Sequence, residues 1–268
     1  MNRRYCSLLL IAAGVTLPCC FLGCNPKAPI PASEAESERG SSSSASEARS
    51  PANSPLTASE PTQAPADWRA QVENLHDGNS HAIRLTAPAE AELLDLLPDL
   101  DGQLLELLLD EGGTTADCMA TIAGLRSLEH LRIRRAELTD ADVAELAKGV
   151  RKLRILNLPQ AKVTHVGIQS LSQLPELRQL RLGGRQIDDE AARALSLLPK
   201  LRSLHLIGPA ITADGLEALS QAPKLASLYI DDCPLPDAAW QALFRAKPGL
   251  HVHIDQQHHD RDPSGHEH

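Results

Sequence analysis

Apolar residues return along this chain at a fixed interval. Five rows align: Leu128-x-x-Leu131-x-Ile133, Leu153-x-x-Leu156-x-Leu158, Leu177-x-x-Leu180-x-Leu182, Leu201-x-x-Leu204-x-Leu206 and Leu225-x-x-Leu228-x-Ile230. Successive rows begin 24 or 25 residues apart. Alternation at the end of each row predicts a short strand whose second and third apolar residues face one way. A turn follows, reaching Leu138, Val163, Ile187, Ile211 or Leu235. Thr139, Thr164, Asp188 and Thr212 then stand where a helix N-cap belongs, and Pro236 takes that place in the last row. Apolar pairs at helical spacing come next: Val143 and Leu146, Ile168 and Leu171, Ala192 and Leu195, Leu216 and Leu219, Trp240 and Leu243. A fixed period in this range predicts a solenoid, each row one strand and one helix.

The flanking rows are looser. Asp67 can cap a short helix with Trp68, Val72 and Leu75 on one face, which predicts a lid over the first core layer. His81-Ala-Ile83-Arg-Leu85 aligns with the later strands. Glu90 to Leu97 reads as its helix, with Pro98 as the stop. Leu104, Leu107 and Leu109 open the next row, Gly112-Gly113 turn the chain, and Met119 and Ile122 return on a helix. Leu250, Val252 and Ile254 form a last strand whose outer edge must be covered.

These rows resemble the leucine-rich repeat family over roughly Ser80 to Asp255. The stretch Thr212-Ala-Asp-Gly215-Leu216-Glu-Ala-Leu219 is similar to the subtype of F-box partners and many bacterial repeat proteins. The resemblance implies an α/β fold: a right-handed solenoid with a parallel concave sheet and helices outside. It also implies a binding role, usually for another protein. The turn after each strand departs from the family, which often builds a ladder of Asn or Cys there. Here the places hold Gly112, Ala136, Ala161, Arg185, Pro209 and Cys233, of which only the last fits.

The N-terminus reads as an address. Arg3 and Arg4 precede a short apolar run, Ser7 to Leu17, too short to span a bilayer. The run ends in Phe21-Leu22-Gly23-Cys24, which resembles the bacterial lipobox. That resemblance implies cleavage before Cys24 and a lipid on its thiol. Residues 1–23 are then a signal peptide and 24–66 a lipidated cysteine and tether. The tether is rich in Ser, Pro, Ala and Glu, a composition that cannot bury enough apolar surface to order itself. The expected location is the cell envelope outside the cytoplasm, on the outer membrane or facing the periplasm. Asn25, where an Asp would favour the inner membrane, leans towards the outer one.

Net charge is −9, which argues against general nucleic-acid binding. Cys118 and Cys233 fall in rows five strands apart, roughly 24 Å at about 4.8 Å per strand, so no disulfide joins them. No catalytic constellation or cofactor motif is present. Asp188-Asp189-Glu190 lies at a helix start, where acids favour the helix dipole. His251, His253, His258, His259, His266 and His268 crowd the last strand and a polar tail, 256–268. They offer an alternative reading as an envelope metal-binding protein. The leading candidate for a site is the outward strand column: Arg84, Leu108, Arg132, Asn157, Arg181, His205, Tyr229, His253. It holds no acid, although the chain is acidic. Arg132, Asn157, Arg181, His205 and Tyr229 should form one solvent-facing strip, with Arg134, Arg154, Arg178 and Arg202 nearby. The expectation is a non-enzymatic binding module domain over 67–255 that grips a protein, or an anionic envelope polymer, through this face.

Overall fold

The computed structural model describes residues 67–111 and 116–258. The chain divides into two units at Ser59, and every described residue belongs to the second. The signal segment, Cys24, the tether, the Gly112-Gly113 turn and residues 259–268 lie outside the described residues.

Helix α1 (Trp68–His76) leads into strand β1 (Ala82–Leu85). Strand and helix then alternate: α2 (Ala91–Leu96), β2 (Glu106–Leu109), α3 (Ala116–Ala123), β3 (His130–Ile133), α4 (Asp140–Gly149), β4 (Ile155–Leu158), α5 (His165–Ser170). The series continues through β5 (Gln179–Gly183), α6 (Asp189–Ser196), β6 (Ser203–Ile207), α7 (Ala213–Ser220), β7 (Ser227–Asp231), α8 (Asp237–Ala246) and β8 (His251–Ile254). The eight strands pair in sequence order, all parallel, in one open sheet. This is the α/β solenoid with outer helices that the row period predicts.

One core runs the length of the stack. Leu131 and Ile133, Leu156 and Leu158, Leu180 and Leu182, Leu204 and Leu206, and Leu228 and Ile230 are all buried. The helical pairs named above are buried opposite them. Burying each such leucine stabilises the fold by roughly 1.5–3 kcal/mol. Cys118 and Cys233 are both buried and joined in no disulfide among the described residues; desolvation pushes the Cys118 thiol up to about 11 and raises that of Cys233 as well, which disfavours the reactive thiolate.

The α-helix ends before Pro98, as expected. Helix α2 ends at Leu96, and Pro98 sits in the first turn of a 3-10 helix, Leu97–Leu100. A first-turn residue needs no N–H partner, so proline is tolerated there. The turn after each strand also has its own construction. The residue two places beyond the last inward strand position is left-handed in five rows: Arg135 (φ 53), Gly184 (φ 114), Gly208 (φ 59), Asp232 (φ 55) and Gln256 (φ 65). In two of these the next row holds the turn from outside. Gln160 Oε1 accepts from Arg135 N–H at 3.0 Å, and Asp255 Oδ1 accepts from Asp232 N–H at 2.8 Å.

Both ends are covered. Trp68, Val72 and Leu75 of α1 close the first layer, and Asp67 Oδ1 accepts from Arg69 N–H. The Gln71 amide also lies along the β1 edge, accepting from Arg84 N–H at 2.7 Å and donating to Arg84 C=O at 3.0 Å. At the other end Gln257 and His258 form β9, antiparallel to β8, so the sheet continues past Asp255.

The helix starts are braced in a way the sequence pattern did not reveal. Asp189, first residue of α6, accepts from Thr212 N–H and Thr212 Oγ1, both at 2.7 Å. Asp140, first residue of α4, holds Thr164 identically. A carboxylate of one row thus orders the cap of the next. Burial works against the Asp189 charge, but these bonds and one from Gly215 N–H outweigh it and hold its pKa below the usual range. A Cβ on Gly215 would lie 2.3 Å from Asp189 Oδ1, and one on Gly167 2.5 Å from Asp140 Oδ1. The glycines of Thr212-x-x-Gly215 and Thr164-x-x-Gly167 therefore make room for the preceding row's aspartate.

Two outcomes test this construction by chemical denaturation. Leu180→Asp puts an unpartnered carboxylate in the middle layer, at a cost of several kcal/mol, and should abolish cooperative unfolding; a wild-type transition would refute the core assignment. Gly215→Ala should destabilise by about 1–3 kcal/mol. Combined with Asp189→Ala it should cost less than the sum of the single changes, because the clash partner is gone. Strict additivity would separate the glycine from the brace.

Candidate functional site

The register settles which side chains are neighbours on the concave sheet. Arg132 pairs with Asn157, Asn157 with Arg181, Arg181 with His205 and His205 with Tyr229, each on the adjacent strand. Arg84 and Leu108 precede this run and His253 follows it. The eight expected residues are thus brought together as one column. They are not equally available. Leu108 and His253 are buried, at 2% and 8% exposure.

The expectation of an acid-free, solvent-facing strip needs correction. The column carries no acid, but the next outward position does. Asp110 and Asp231 each stand two residues beyond a column member, on the same face. Asp110 Oδ2 lies 2.7 Å from Arg132 Nη2, and its Oδ1 lies 3.6 Å from Arg134 Nε. The Arg132 side chain keeps only 12% of its exposure. Arg154 and Arg178 pair with Glu129 and Glu176, at 2.9 and 3.6 Å. Arg84 pairs with Glu106 at 3.3 Å. Most of the positive charge counted from the sequence is therefore balanced locally.

Among the described residues two of these arginines are in no ion pair, exposed Arg202 and half-buried Arg181. The Arg181 side chain also has no hydrogen bond with any described residue, and its Nε is buried without a partner. Desolvation draws its pKa below the arginine norm, Arg134 and Arg132 draw it down further, and Asp231 opposes them. It stays charged, but in an unfavourable place. Asn157 beside it also makes no side-chain hydrogen bond, and its Oδ1 is buried and unmet.

Beyond Arg181 the face becomes aromatic. Tyr229 stacks on His253 with ring centroids 4.8 Å apart, and lies 5.6 Å from His205 and 6.3 Å from His251. His205 Nε2 lies 2.7 Å from Asp231 Oδ2. Burial lowers the His205 pKa, and the Asp231 hydrogen bond only partly offsets it. His205 is thus neutral near pH 7, with the proton on Nε2 donated to the carboxylate. His251 Nε2 and His253 Nε2 are 2.8 Å apart, so one ring donates to the other. No group of three or more His, Cys, Asp or Glu among the described residues is arranged to hold a metal ion.

Comparison with family models finds no match, and comparison with curated proteins finds none. Solved structures do match. One is a leucine-rich-repeat protein of Leptospira interrogans, 22% identical, with a TM-score of 0.44 over 63% of this chain. This chain spans only 40% of that protein's length. Another is the second actin-binding site of leiomodin-1, 19% identical, TM-score 0.37, covering 45% of this chain and 80% of that one. Neither likeness is close enough to carry more than it states. The fold rests on the chain's own rows: parallel strands in sequence order, leucines inward at a constant register, helices outside.

The fold is a leucine-rich-repeat solenoid. Its candidate site is the concave face from Asn157 to Tyr229, a half-buried guanidinium outside any ion pair among the described residues, beside a cluster of rings. Sequence reasoning located the column to the residue. It missed Asp110 and Asp231, which lie one alternation outside the column that was read.

The lowered His205 pKa has a measurable sign. The unfolded ring takes up a proton near pH 6.5, and the folded ring only at lower pH. The unfolded state therefore binds more protons in that window, and stability falls as pH drops below about 6.5. The thermal midpoint should decline between pH 7 and 5.5, and His205→Gln, which can still donate to Asp231, should shrink the decline. An unchanged slope would show that His205 titrates normally.

Proposed function

We propose that the protein is a non-enzymatic binding module, tethered to a bacterial membrane through a lipid on Cys24, that grips another protein by its concave face. The observation that carries this is Arg181. A fold that pairs Arg84, Arg132, Arg154 and Arg178 with its own carboxylates leaves this one, half-buried at the centre of the open face, outside any ion pair among the described residues. The adjacent Tyr229 supplies the kind of anchor that protein interfaces favour. The strip of Arg132, Asn157, Arg181, His205 and Tyr229 is the proposed contact surface, with Arg132 held in place by Asp110. An anionic envelope polymer fits less well, because Asp231 already acts on this cation and Asp110 holds Arg132 and Arg134.

The histidines motivate a second reading, an envelope metal-binding protein. Its support is the 2.8 Å approach of His251 Nε2 to His253 Nε2, which places two imidazole donors together. Zinc and nickel affinity measured with and without residues 256–268 separates the two. Sub-micromolar binding lost on truncation would favour the metal.

Photo-crosslinking in the native envelope tests the face. A photoreactive residue at Tyr229 should give a discrete protein adduct, and one at Glu217 on helix α7 should not. Arg181→Glu should reduce the Tyr229 adduct at least ten-fold, while Glu145→Lys with Glu217→Lys leaves it unchanged. Adducts from Glu217 alone would move the interface to the helices. For the anchor, Cys24→Ser should release the protein from the membrane fraction and alter its mature mass. Unchanged fractionation and mass would exclude lipidation.

A further inference from the structure

Arg181 and Asn157 face each other across β4 and β5, one strand spacing apart. Their polar atoms divide into two layers. Arg181 Nε and Asn157 Oδ1 are buried and unmet. The Arg181 terminal nitrogens and Asn157 Nδ2 also lack partners among the described residues, but they are not among the buried atoms, so they reach solvent. What the face presents here is a patch made only of donors, carrying one positive charge. Asp110 is committed to Arg132; Asp231 hydrogen-bonds the neutral His205, keeps its charge, and attracts Arg181 without forming an ion pair with it.

We infer that Asn157 and Arg181 form a subsite for a single carboxylate, supplied by an acidic residue or the C-terminus of the partner protein. The argument rests on the concave-face reading above and narrows it. A guanidinium fork matches the two oxygens of a carboxylate, and the neighbouring amide adds a third donor from the next strand. The charge count sets the ligand class. Arg181 is in no ion pair, so its fork is open to one carboxylate. Asp231 already acts on this arginine, and a second negative charge on the same group, as in a phosphate dianion, would be repelled by it. The site therefore selects a planar monoanion over a phosphate-rich polymer. The aromatic cluster from His205 to His253 begins on the next strand, so a chain running across the strands from the subsite would lay its neighbouring residues on Tyr229.

The same geometry predicts an unusual response to mutation. Arg181 loses hydration and faces Arg132 and Arg134 with no bond in return. Removing its charge relieves the fold while it empties the subsite. A residue kept for packing or a structural ion pair would behave in the opposite way.

The test uses the full chain at fixed ionic strength, because exposed charges are screened by salt. The probes are N-acetyl-glutamate N-methylamide, N-acetyl-glycine as a free C-terminal carboxylate, and methyl phosphate. Side-chain nitrogen resonances of Asn157 and Arg181 report binding, and the thermal midpoint reports stability. The expected result is a saturable shift of both side chains with one or both carboxylates. Methyl phosphate should bind at least ten-fold more weakly above pH 7, where it is a dianion. The stronger of the two carboxylates identifies the source. Arg181→Gln should abolish the shifts and leave the thermal midpoint equal or higher; Arg181→Lys, a point charge without the fork, should weaken binding several-fold. Equal or stronger binding of methyl phosphate overturns the carboxylate assignment. Absence of any shift, or a lower thermal midpoint in Arg181→Gln, overturns the subsite. If the subsite fails while the Tyr229 crosslink in Arg181→Gln persists at full strength, the concave face stands as the interface and only its chemistry here is wrong.

Discussion

No row of this protein can bury its own leucines. A strand of four or five residues and one short helix leave two apolar layers open, and only the neighbouring row closes them. Everything else follows from that dependence. The rows must share one length, or the inward residues would fall out of step. The strands must be parallel, because each helix returns the chain to the same side. The ends must be dressed separately, since they have a neighbour on one side only. Gln71 serves this need by offering both an acceptor and a donor to the Arg84 backbone, as a strand would. At the far end two residues fold back as β9 and take the outer bonds of β8.

The requirement that fixes the inside also organises the outside. With a constant register, one outward position per row becomes a column spaced at about 4.8 Å. Identical charges in such a column would stand close together and repel. The chain separates Arg132 from Arg181 by Asn157, and follows Arg181 with neutral His205 and Tyr229. Carboxylates enter diagonally, one alternation away, where Asp110 reaches the Arg132 cation and Asp231 accepts from neutral His205, neither joining the column. The helix side applies the same economy. Asp140 and Asp189 lie at their own helix starts, where negative charge is favourable, and each also orders the next row's threonine cap.

Much of this was legible in the sequence, and the limits have physical causes. Inward leucines announce themselves because burial admits few residue types, so the strand register could be read to the residue from Leu128 to Ile230. The column followed by alternation alone. Its charge state did not, because pairing depends on which side chains cross between rows, and Asp110 reaches Arg132 across 22 positions. The braces were hidden for the same reason. Thr212 read as a helix cap and Gly215 only as part of a repeat motif, but the aspartate they accommodate lies 23 residues before Thr212. Pro98 marked the end of α2 correctly, but not the 3-10 turn that follows, because proline forbids the middle of a helix and is tolerated in the first turn of the next one.

The balance of charges also alters what kind of binding the face can support. A strip of several free guanidinium groups would attract any polyanion, strongly and with little selectivity. Local pairing removes most of that field, and the protein as a whole is acidic. What survives is one cation whose hydration is already partly lost. Such a group contributes little to long-range attraction, because a single exposed charge is screened within about 8 Å at physiological ionic strength. It contributes much at contact, because the desolvation cost has been met in the unbound state and a correctly placed acceptor restores the missing bonds. The arrangement exchanges fold stability for discrimination. The centre of the face is less stable than it could be, and on the proposed reading a partner would recover that free energy by bringing one negative charge to one place.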